Sequence, residues 1–455
     1  MGVSVTRRFL RCAVLALAAA VLPVSARAQT APEPAAGDQI ERWTLANGLR
    51  VVARATPGAG AVAITVGYRM GIDDDPPGRA GLAQLLGELS FTAPAGNQPE
   101  RVPEEIDSQR PLGWSYPVLR HVTLLTEVAS TDRFPVVLDQ VAQRMRGVTV
   151  DAAVLAAARA RVKRELAQQL FGQPTQVLSY QMREIAAGRS DAEIVRHASG
   201  SDLARLTVKE VQAELRRWHV PANAVLSLVG DFGGVDLRRL VEQRFGAIPG
   251  GEPRPEPTPA PLKPVTRSMR RAGDAIGSIG VIAPAVSDTS HPYFYLASMV
   301  LGSLAEEAWN AKAPQAGSRF QFALVDEPEL FRLFPPVPKT ETDPGRLVYL
   351  LRVQANELPL LMIPGDSFDR LRSSMVTRLG GPMPAGQFAA LGGNPGVLHS
   401  LARGQAACEL RMGPAFWERY RQVLVRIHPS YVQRWREWFD TPRNQVVLLM
   451  APRPR

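Results

Sequence analysis

The sequence has almost no cysteine, which excludes a disulfide framework. Only Cys12 and Cys408 occur among the 455 residues, and Cys12 lies in an amino-terminal leader that we expect to be removed. The one remaining cysteine has no partner for an intramolecular disulfide. Cys408 stands in the helix-like stretch Gln405–Leu410, where a buried small apolar residue is a better interpretation than a catalytic nucleophile.

Long apolar runs are missing beyond the first residues. No later stretch reaches the roughly 18 apolar residues that a membrane-spanning helix needs, so we expect no transmembrane span. At the start, a basic segment over residues 7–11 precedes an apolar run from about Ala13 to Val24, and Ala26-Arg27-Ala28 follows. This pattern predicts a signal peptide over residues 1–28, cleaved near Ala28, and a periplasmic or secreted protein. Arg7-Arg8 leaves twin-arginine export open, although we favour the general route.

The positive charge is not concentrated in one place. The net charge is +10, and it falls to +6 without the four arginines of residues 1–28. The remaining arginines form no stripe interleaved with aromatics, so we expect no nucleic-acid partner. A mildly basic surface could attract anionic lipid or acidic partners, but an ordinary solvated surface is the simpler interpretation.

Proline at nearly every second position marks a boundary between residues 250 and 264. Such a segment forbids helix and central strand and favours a semi-rigid extended spacer. A chain of this length suits two lobes of about 200 residues each. We therefore predict an amino-terminal lobe over residues 29–250, a proline-rich linker over residues 251–264 and a carboxy-terminal lobe over residues 265–455.

The two predicted lobes resemble each other. Leu206–Gly230 aligns without a gap to Ile427–Ala451, and both copies carry Pro-x-Asn, at residues 221–223 and 442–444. Each copy is typical of an amphipathic helix, a proline stop and a buried strand. Thr207 and Glu210 have the spacing of a capping box at the start of the first of these helices. The lobe starts also correspond, because a strand, a polar loop and a helix follow one another over residues 61–91 and again over 276–304. We predict an α+β fold of two homologous lobes, each a mostly antiparallel sheet packed with helices.

The order of these elements resembles the insulinase/pitrilysin family of zinc peptidases, which includes mitochondrial processing peptidase. The resemblance covers nearly all of the chain beyond the leader and is weaker between about Ala305 and Met412. It rests on four segments: Trp43–Val52 with its Asn47-Gly48 hairpin signal, Gly71–Gly81 before Leu-Ala, His219–Asp231, and Phe245-Gly246-x-x-Pro249.

The resemblance places the catalytic motif of this family on residues that do not support catalysis. Active members carry His-x-x-Glu-His on a helix, where the histidines bind zinc and the glutamate activates water. Here Gln84 and Glu88 replace the histidines and Gly87 replaces the base, whereas the third ligand position falls on Glu165 and is kept. An amide is a poor zinc ligand, and glycine has no group to accept a proton. The resemblance therefore implies no catalytic residue, no resident metal and no other cofactor.

No other histidine repairs the motif, because no two are four residues apart. They are His121, His197, His219, His291, His399 and His428. We interpret His219, at a helix end, as a capping or packing residue. Gln84, Glu88 and Glu165 could in principle hold calcium or magnesium. We prefer a solvated polar stripe opposite a core face formed by Leu82, Leu85, Leu86 and Leu89, with Glu165 as a helix-surface charge.

The second lobe also departs from the family pattern. The resemblance implies an arginine and a tyrosine that hold substrate after Ser318–Gln321, but these positions fall near Val325 and near Phe331–Arg332, so neither is kept. Gly380-Gly381 and Gly392-Gly393 mark a loop-rich stretch. A plain connecting loop is a simpler interpretation there than a glycine-rich substrate loop.

These observations favour a non-catalytic subunit. It would complete a peptide-binding chamber with a zinc-motif peptidase of the same family, and exposed sheet edges would hold a peptide or unfolded polypeptide by strand addition. The alternative is a stand-alone periplasmic scaffold or peptide-binding protein. A residual metallopeptidase is the least expected, because the sequence supplies no base.

Overall fold

The computed structural model describes residues 40–255, 261–271, 273–314, 318–324, 326–339, 341–356, 365–378 and 394–452. Several predicted features lie outside the described residues: the signal peptide, residues 256–260 of the predicted linker, Val325, Gly380-Gly381 and Gly392-Gly393. Within the described part, no helix is long and apolar enough to cross a membrane.

The amino-terminal lobe holds six strands and eight α-helices among its described residues. The strands are β1 (Ile40–Thr44), β2 (Arg50–Ala55), β3 (Ala61–Tyr68), β4 (Trp114–Ser115), β5 (Thr123–Ser130) and β6 (Ala224–Gly230). The helices are α1 (Leu82–Thr92), α2 (Pro103–Gln109), α3 (Phe134–Arg146), α4 (Ala152–Phe171), α5 (Pro174–Ala186), α6 (Asp191–Ser199), α7 (Val208–Trp218) and α8 (Leu237–Phe245).

The carboxy-terminal lobe is likewise built of strands and helices, with five strands and seven α-helices among its described residues. Its described strands are β7 (Val265–Arg271), β8 (Ile276–Ile282), β9 (Phe320–Gln321), β10 (Leu330–Leu333) and β11 (Gln445–Pro452). Its described helices are α9 (His291–Asn310), α10 (Pro344–Asn356), α11 (Gly365–Arg378), α12 (Pro395–Arg411), α13 (Gly413–Arg426), α14 (Ser430–Arg434) and α15 (Arg436–Asp440).

Apart from β1, which has no counterpart among the described strands of the second lobe, the two sheets have the same order of strands, and this confirms the predicted fold class. The first sheet runs β1-β2-β6-β3-β5-β4 and the second runs β7-β11-β8-β10-β9. In each sheet one pair is parallel, β2 with β6 and β7 with β11, and the other pairs are antiparallel. The parallel pair therefore occupies the same place in the shared order of five strands, as expected for a duplicated unit.

Local signals in the sequence are confirmed at several element ends. The Asn47-Gly48 turn joins β1 to β2, with Gly48 at a φ of 86°. Thr207 and Glu210 form the predicted capping box, in which the Thr207 hydroxyl accepts from the Glu210 amide at 3.2 Å. The repeat differs in one respect: the helix before the second Pro-x-Asn turn is split at Trp435 into α14 and α15.

Each sheet is covered on one face by a helix from the other lobe. Helix α12 lays Leu398, Leu401 and Ala406 on the first sheet, and α5 lays Val177 and Met182 on the second. Glycine at positions 67 and 280 permits each helix to pack closely against its sheet. A Cβ on Gly67 would lie 2.6 Å from a Leu410 methyl, and one on Gly280 would lie 2.6 Å from the Met182 sulfur. The sheets are therefore buried on both faces, in keeping with their continuous apolar strands.

A buried charge network joins the lobes at their interface. The guanidinium of Arg120 lies 2.5 Å from Glu184, 3.1 Å from Asp73 and 3.1 Å from Glu327 of the second lobe. Its backbone amide donates to Asp326 at 2.7 Å. Although burial alone would lower the pKa of Arg120, these carboxylates hold it above the usual value.

Replacing Glu327 tests this network. Glu327 lies 2.7 Å from Arg332 and 3.1 Å from Arg120. Burial alone would raise its pKa, but the arginines outweigh burial and lower it to about 2. Glu327→Gln leaves buried arginines without their carboxylate, so we expect a loss of about 3–5 kcal/mol in the free energy of unfolding at neutral pH. Urea denaturation measures this loss.

The pH dependence follows from the lowered pKa. An unfolded glutamate titrates near 4.3, so the stabilisation from Glu327 is complete above about that pH and is lost as the pH falls towards 2. The difference between wild type and variant should shrink over this window. The control is Glu418→Gln, which breaks an exposed pair with Arg421 and should cost less than about 1 kcal/mol. Equal losses in the two variants would contradict the assignment.

Candidate functional site

Helix α1 carries the motif positions and is buried along its whole length. It begins after Gly81, whose φ of 88° is left-handed. The carboxylate of Asp75 accepts from the amides of Gly81, at 2.6 Å, and Ala83, at 2.8 Å, and so supplies acceptors for the helix start. The four leucines predicted as a core face are all fully buried.

The predicted solvated stripe on α1 is wrong. Gln84 is 4% exposed and Glu88 is 2% exposed, so both side chains lie in the interior. The physical reason is that helices and a strand surround α1: α4, α7 and β5 all contact it. Glu165, on α4, is exposed, as predicted for a helix-surface charge. Neighbouring protein atoms still remove part of the water around its carboxylate, and this partial desolvation, followed by the negative charge of Glu88, raises the pKa of Glu165. Glu88 and Glu165 therefore lie close together.

Glu88, at the position that the resemblance assigns to the second histidine, is held by a group of polar side chains. Its Oε1 accepts from Nε of Arg161, and the Thr92 hydroxyl lies 3.3 Å from the same oxygen. The Tyr116 hydroxyl also bonds to Glu88, and burial with this negative charge raises the tyrosine pKa. Arg161 is therefore a structural partner of the motif that sequence reasoning missed. The available signal was an arginine one helical turn before Glu165, with an acid replacing a histidine.

The position of the catalytic base is closed by packing. A Cβ built on Gly87 would lie 2.7 Å from Cγ2 of Val118 and 3.3 Å from Cγ2 of Thr123. Real Cβ atoms do not approach other atoms so closely, and β-branched side chains have little freedom to turn away. A glutamate at this position therefore has no room without movement of Val118.

The side chains present do not fit a zinc ion. The amide oxygen and nitrogen of Gln84 are both buried and have no hydrogen-bond partner within the described part of the chain. Glu88 already neutralises Arg161, whose positive charge would repel a cation. The described residues also contain no group of three or more histidine, cysteine or acidic side chains that could hold a metal ion. No step of metal chemistry can be assigned to this arrangement.

An aromatic surface lies beside this closed site at the edge of the first sheet. The rings of Phe91, Trp114 and Tyr116 stack, with centroids 4.9–5.8 Å apart, and the two rings from the β4 segment are only half-buried. The guanidinium of Arg101 lies 4.6 Å from the Phe91 centroid. Because β4 is the last strand of the sheet, this surface adjoins an open strand edge.

The second lobe holds its candidate residues in structural roles. Arg319 is buried and donates to the Asn310 side chain at 2.9 Å. Phe331 lies in the core, and Arg332 is 0% exposed and paired with Glu327. Arg319 and Arg332, the arginines on either side of Val325, therefore both make contacts within the protein interior.

Two further interpretations of single residues are confirmed. His219 is the residue that ends α7, and it packs between Tyr68 and the Ser90 hydroxyl, 2.8 Å from its Nδ1. Burial lowers the pKa of His219 to about 3, so the ring is neutral. Cys408 is buried within α12, and burial raises its pKa.

Comparison with known proteins supports the family resemblance. Residues 205–327 match the model of the peptidase M16 inactive domain. A protease from Helicobacter pylori has the same fold, with 17% identity, a TM-score of 0.65 and coverage of 91% of this chain and 100% of that one. A peptidase M16 inactive domain from Pseudomonas fluorescens is 14% identical, with a TM-score of 0.66, and the match covers 91% of this chain and 98% of that one.

A third solved structure is longer than this chain. The periplasmic protease PqqL from Escherichia coli is 13% identical, with a TM-score of 0.63, and the match covers 94% of this chain but 48% of PqqL. A search of curated proteins finds no match. The match over residues 205–327 and the shared fold agree with the resemblance to the M16, insulinase-type family.

The closure at Gly87 can be tested by a rescue experiment. Alanine normally stabilises a helix interior by about 0.5–1 kcal/mol relative to glycine, but overpacking costs about 1–3 kcal/mol. We expect Gly87→Ala to lower the free energy of unfolding by about 1 kcal/mol. Combining it with Val118→Ala should remove this penalty, so that the double variant is at least as stable as Val118→Ala alone. Thermal or urea unfolding of the four proteins measures the effect, and a stabilising Gly87→Ala would contradict the closure.

Proposed function

We propose that this chain is a non-catalytic subunit that completes a peptide-binding chamber with a zinc-motif peptidase of the same family. The observation that carries the proposal is the state of the motif region. At the positions that the resemblance assigns to catalytic groups, Glu88 is paired with Arg161, and Val118 blocks a side chain at Gly87. Both sheets and the exchanged helices nevertheless keep the architecture of the peptidase fold. A fold kept without its chemistry fits a role in binding.

The length relation to PqqL supports a paired arrangement. This chain spans about half of that protease. A second two-lobed unit would fill the remaining length, and here a separate chain with an intact motif would supply that unit. The periplasmic location of PqqL also agrees with the signal peptide that the sequence predicts.

The strand edges supply the means of holding a peptide. β4 and β9 each end a sheet and have no strand partner on their outer side within the described residues. An extended peptide can pair its backbone with such an edge, while neighbouring pockets select its side chains. The rings of Trp114 and Tyr116 beside β4 offer such a surface.

The test is to measure metal content, copurification and peptide cleavage for the mature chain, alone and mixed with a zinc-motif relative from the same organism. We expect no zinc and no cleavage by the chain alone, and cleavage in the mixture above that of the relative alone. Peptides carrying N-methyl groups at alternate residues cannot donate to a strand edge, so they should compete poorly for binding.

Two other outcomes would change the conclusion. Failure to copurify or to stimulate cleavage would favour the scaffold alternative. Zinc uptake and cleavage by the chain alone would overturn the proposal, because neither Gln84 nor Gly87 supplies the chemistry required.

A further inference from the structure

A pocket of about 570 Å³ lies on the surface of the second lobe, apart from every residue discussed for the motif. It is bordered by the start of α9 and by α14 and α15. Its volume falls within the range of about 300–1,000 Å³ that is common for ligand sites. Such a pocket can hold a few side chains of a bound polypeptide.

Four aromatic side chains line this pocket. Tyr293 and Tyr431 contact each other with centroids 5.2 Å apart, and Trp435 and Trp438 contact each other at 5.6 Å. Tyr431 is 38% exposed, and the other three rings are half-buried. Such rings give a rigid apolar contact surface, and tyrosine, tryptophan and arginine are enriched among the residues that dominate the energetics of protein interfaces.

The charges at the rim favour an anionic ligand. Arg434 and Arg443 both line the pocket and are exposed, and neither has a carboxylate partner among the residues described. The guanidinium of Arg434 lies 5.1 Å from the Tyr431 centroid, which places positive charge directly beside the aromatic wall. Glu437 is the one acidic residue of the lining, so the rim has an excess of one positive charge.

Hydrogen-bonding groups remain for a polypeptide backbone. The Trp438 indole donates to the Ile282 carbonyl at 2.9 Å, whereas the Trp435 indole has no acceptor within the described part of the chain. Asn444 uses its amide nitrogen on the Trp438 carbonyl at 3.1 Å. Its amide oxygen has no donor in the same part of the chain, so Trp435 and Asn444 together offer one donor and one acceptor to a polypeptide backbone.

We propose that this pocket is a docking site for an acidic polypeptide segment that carries aromatic or aliphatic side chains. The rings would contact its apolar side chains, and Arg434 and Arg443 would pair with its carboxylates. The site lies in the second lobe and shares no residue with the motif region, so it does not depend on pairing with a zinc-motif chain.

The probe is a short fluorescein-labelled peptide that alternates Asp and Glu with Phe and Leu, titrated with the mature chain and followed by anisotropy. We expect saturable binding that weakens as salt is added, because screening reduces the attraction between exposed charges. Arg434→Glu combined with Arg443→Glu should weaken binding by at least about tenfold, which corresponds to roughly 1.4 kcal/mol. Tyr431→Ala should weaken it by a similar factor.

Matched variants control for charge and for exposed aromatic area. Arg216→Glu combined with Arg217→Glu makes the same charge change on α7 of the first lobe, and Tyr349→Ala removes a ring that is 65% exposed on α10. Neither control should change binding. Circular dichroism checks that each variant is folded.

Three results would overturn the proposal. The first is that a peptide with Asn and Gln in place of the acids binds as tightly as the acidic peptide or more tightly. The second is that only a saccharide, such as chitohexaose, binds. The third is that the double variant at Arg434 and Arg443 binds the acidic peptide with unchanged affinity. Absence of binding by the acidic peptide would overturn it as well.

Discussion

The exchange of helices between the lobes is the constraint on which the rest of the structure depends. Each sheet needs a cover on both faces, and in each case the other lobe provides one cover, α12 for the first sheet and α5 for the second. Leu410 and Met182 lie so close to Gly67 and Gly280 that a side chain at either glycine would collide with the covering helix. Neither lobe can therefore bury its core alone, and the charges around Arg120 must be matched at the same interface.

Packing of the same kind limits which residues helix α1 can carry. Helix α1 is part of the interior, so each of its side chains must suit a buried place. An acid at Glu88 is tolerated because Arg161, Thr92 and Tyr116 surround it with donors. The missing side chain at Gly87 leaves room that Val118 fills. The unpaired amide of Gln84 is the remaining cost, since a buried polar group without a partner is destabilising.

The parts of this structure that could be predicted are those set by local patterns. The strand and the helix predicted over residues 61–91 occur there as β3 and α1, because the apolar run of the strand ends at a polar loop. Thr207 and Glu210 likewise predict the start of α7. The burial of Gln84 and Glu88 could not be predicted, because a polar residue on an amphipathic pattern normally faces water. The pair of Glu88 and Arg161 joins residues 73 positions apart, and its geometry depends on how α1 packs on α4. The split at Trp435 likewise follows from packing, since that ring contacts Phe294 of α9.

The buried and exposed arginines of this chain differ in a way that bears on function. Arg120 and Arg332 lie in the interior, where an unpaired charge is very costly, and both contact Glu327. Their role in holding the lobes accounts for them. Arg434 and Arg443 are exposed and need no partner for stability, since water solvates them. Packing against the core of the second lobe accounts for Tyr293, Trp435 and Trp438, whereas the ring of Tyr431 is 38% exposed beside Arg434. A partner that covers Tyr431 and supplies carboxylates to Arg434 and Arg443 would account for this combination.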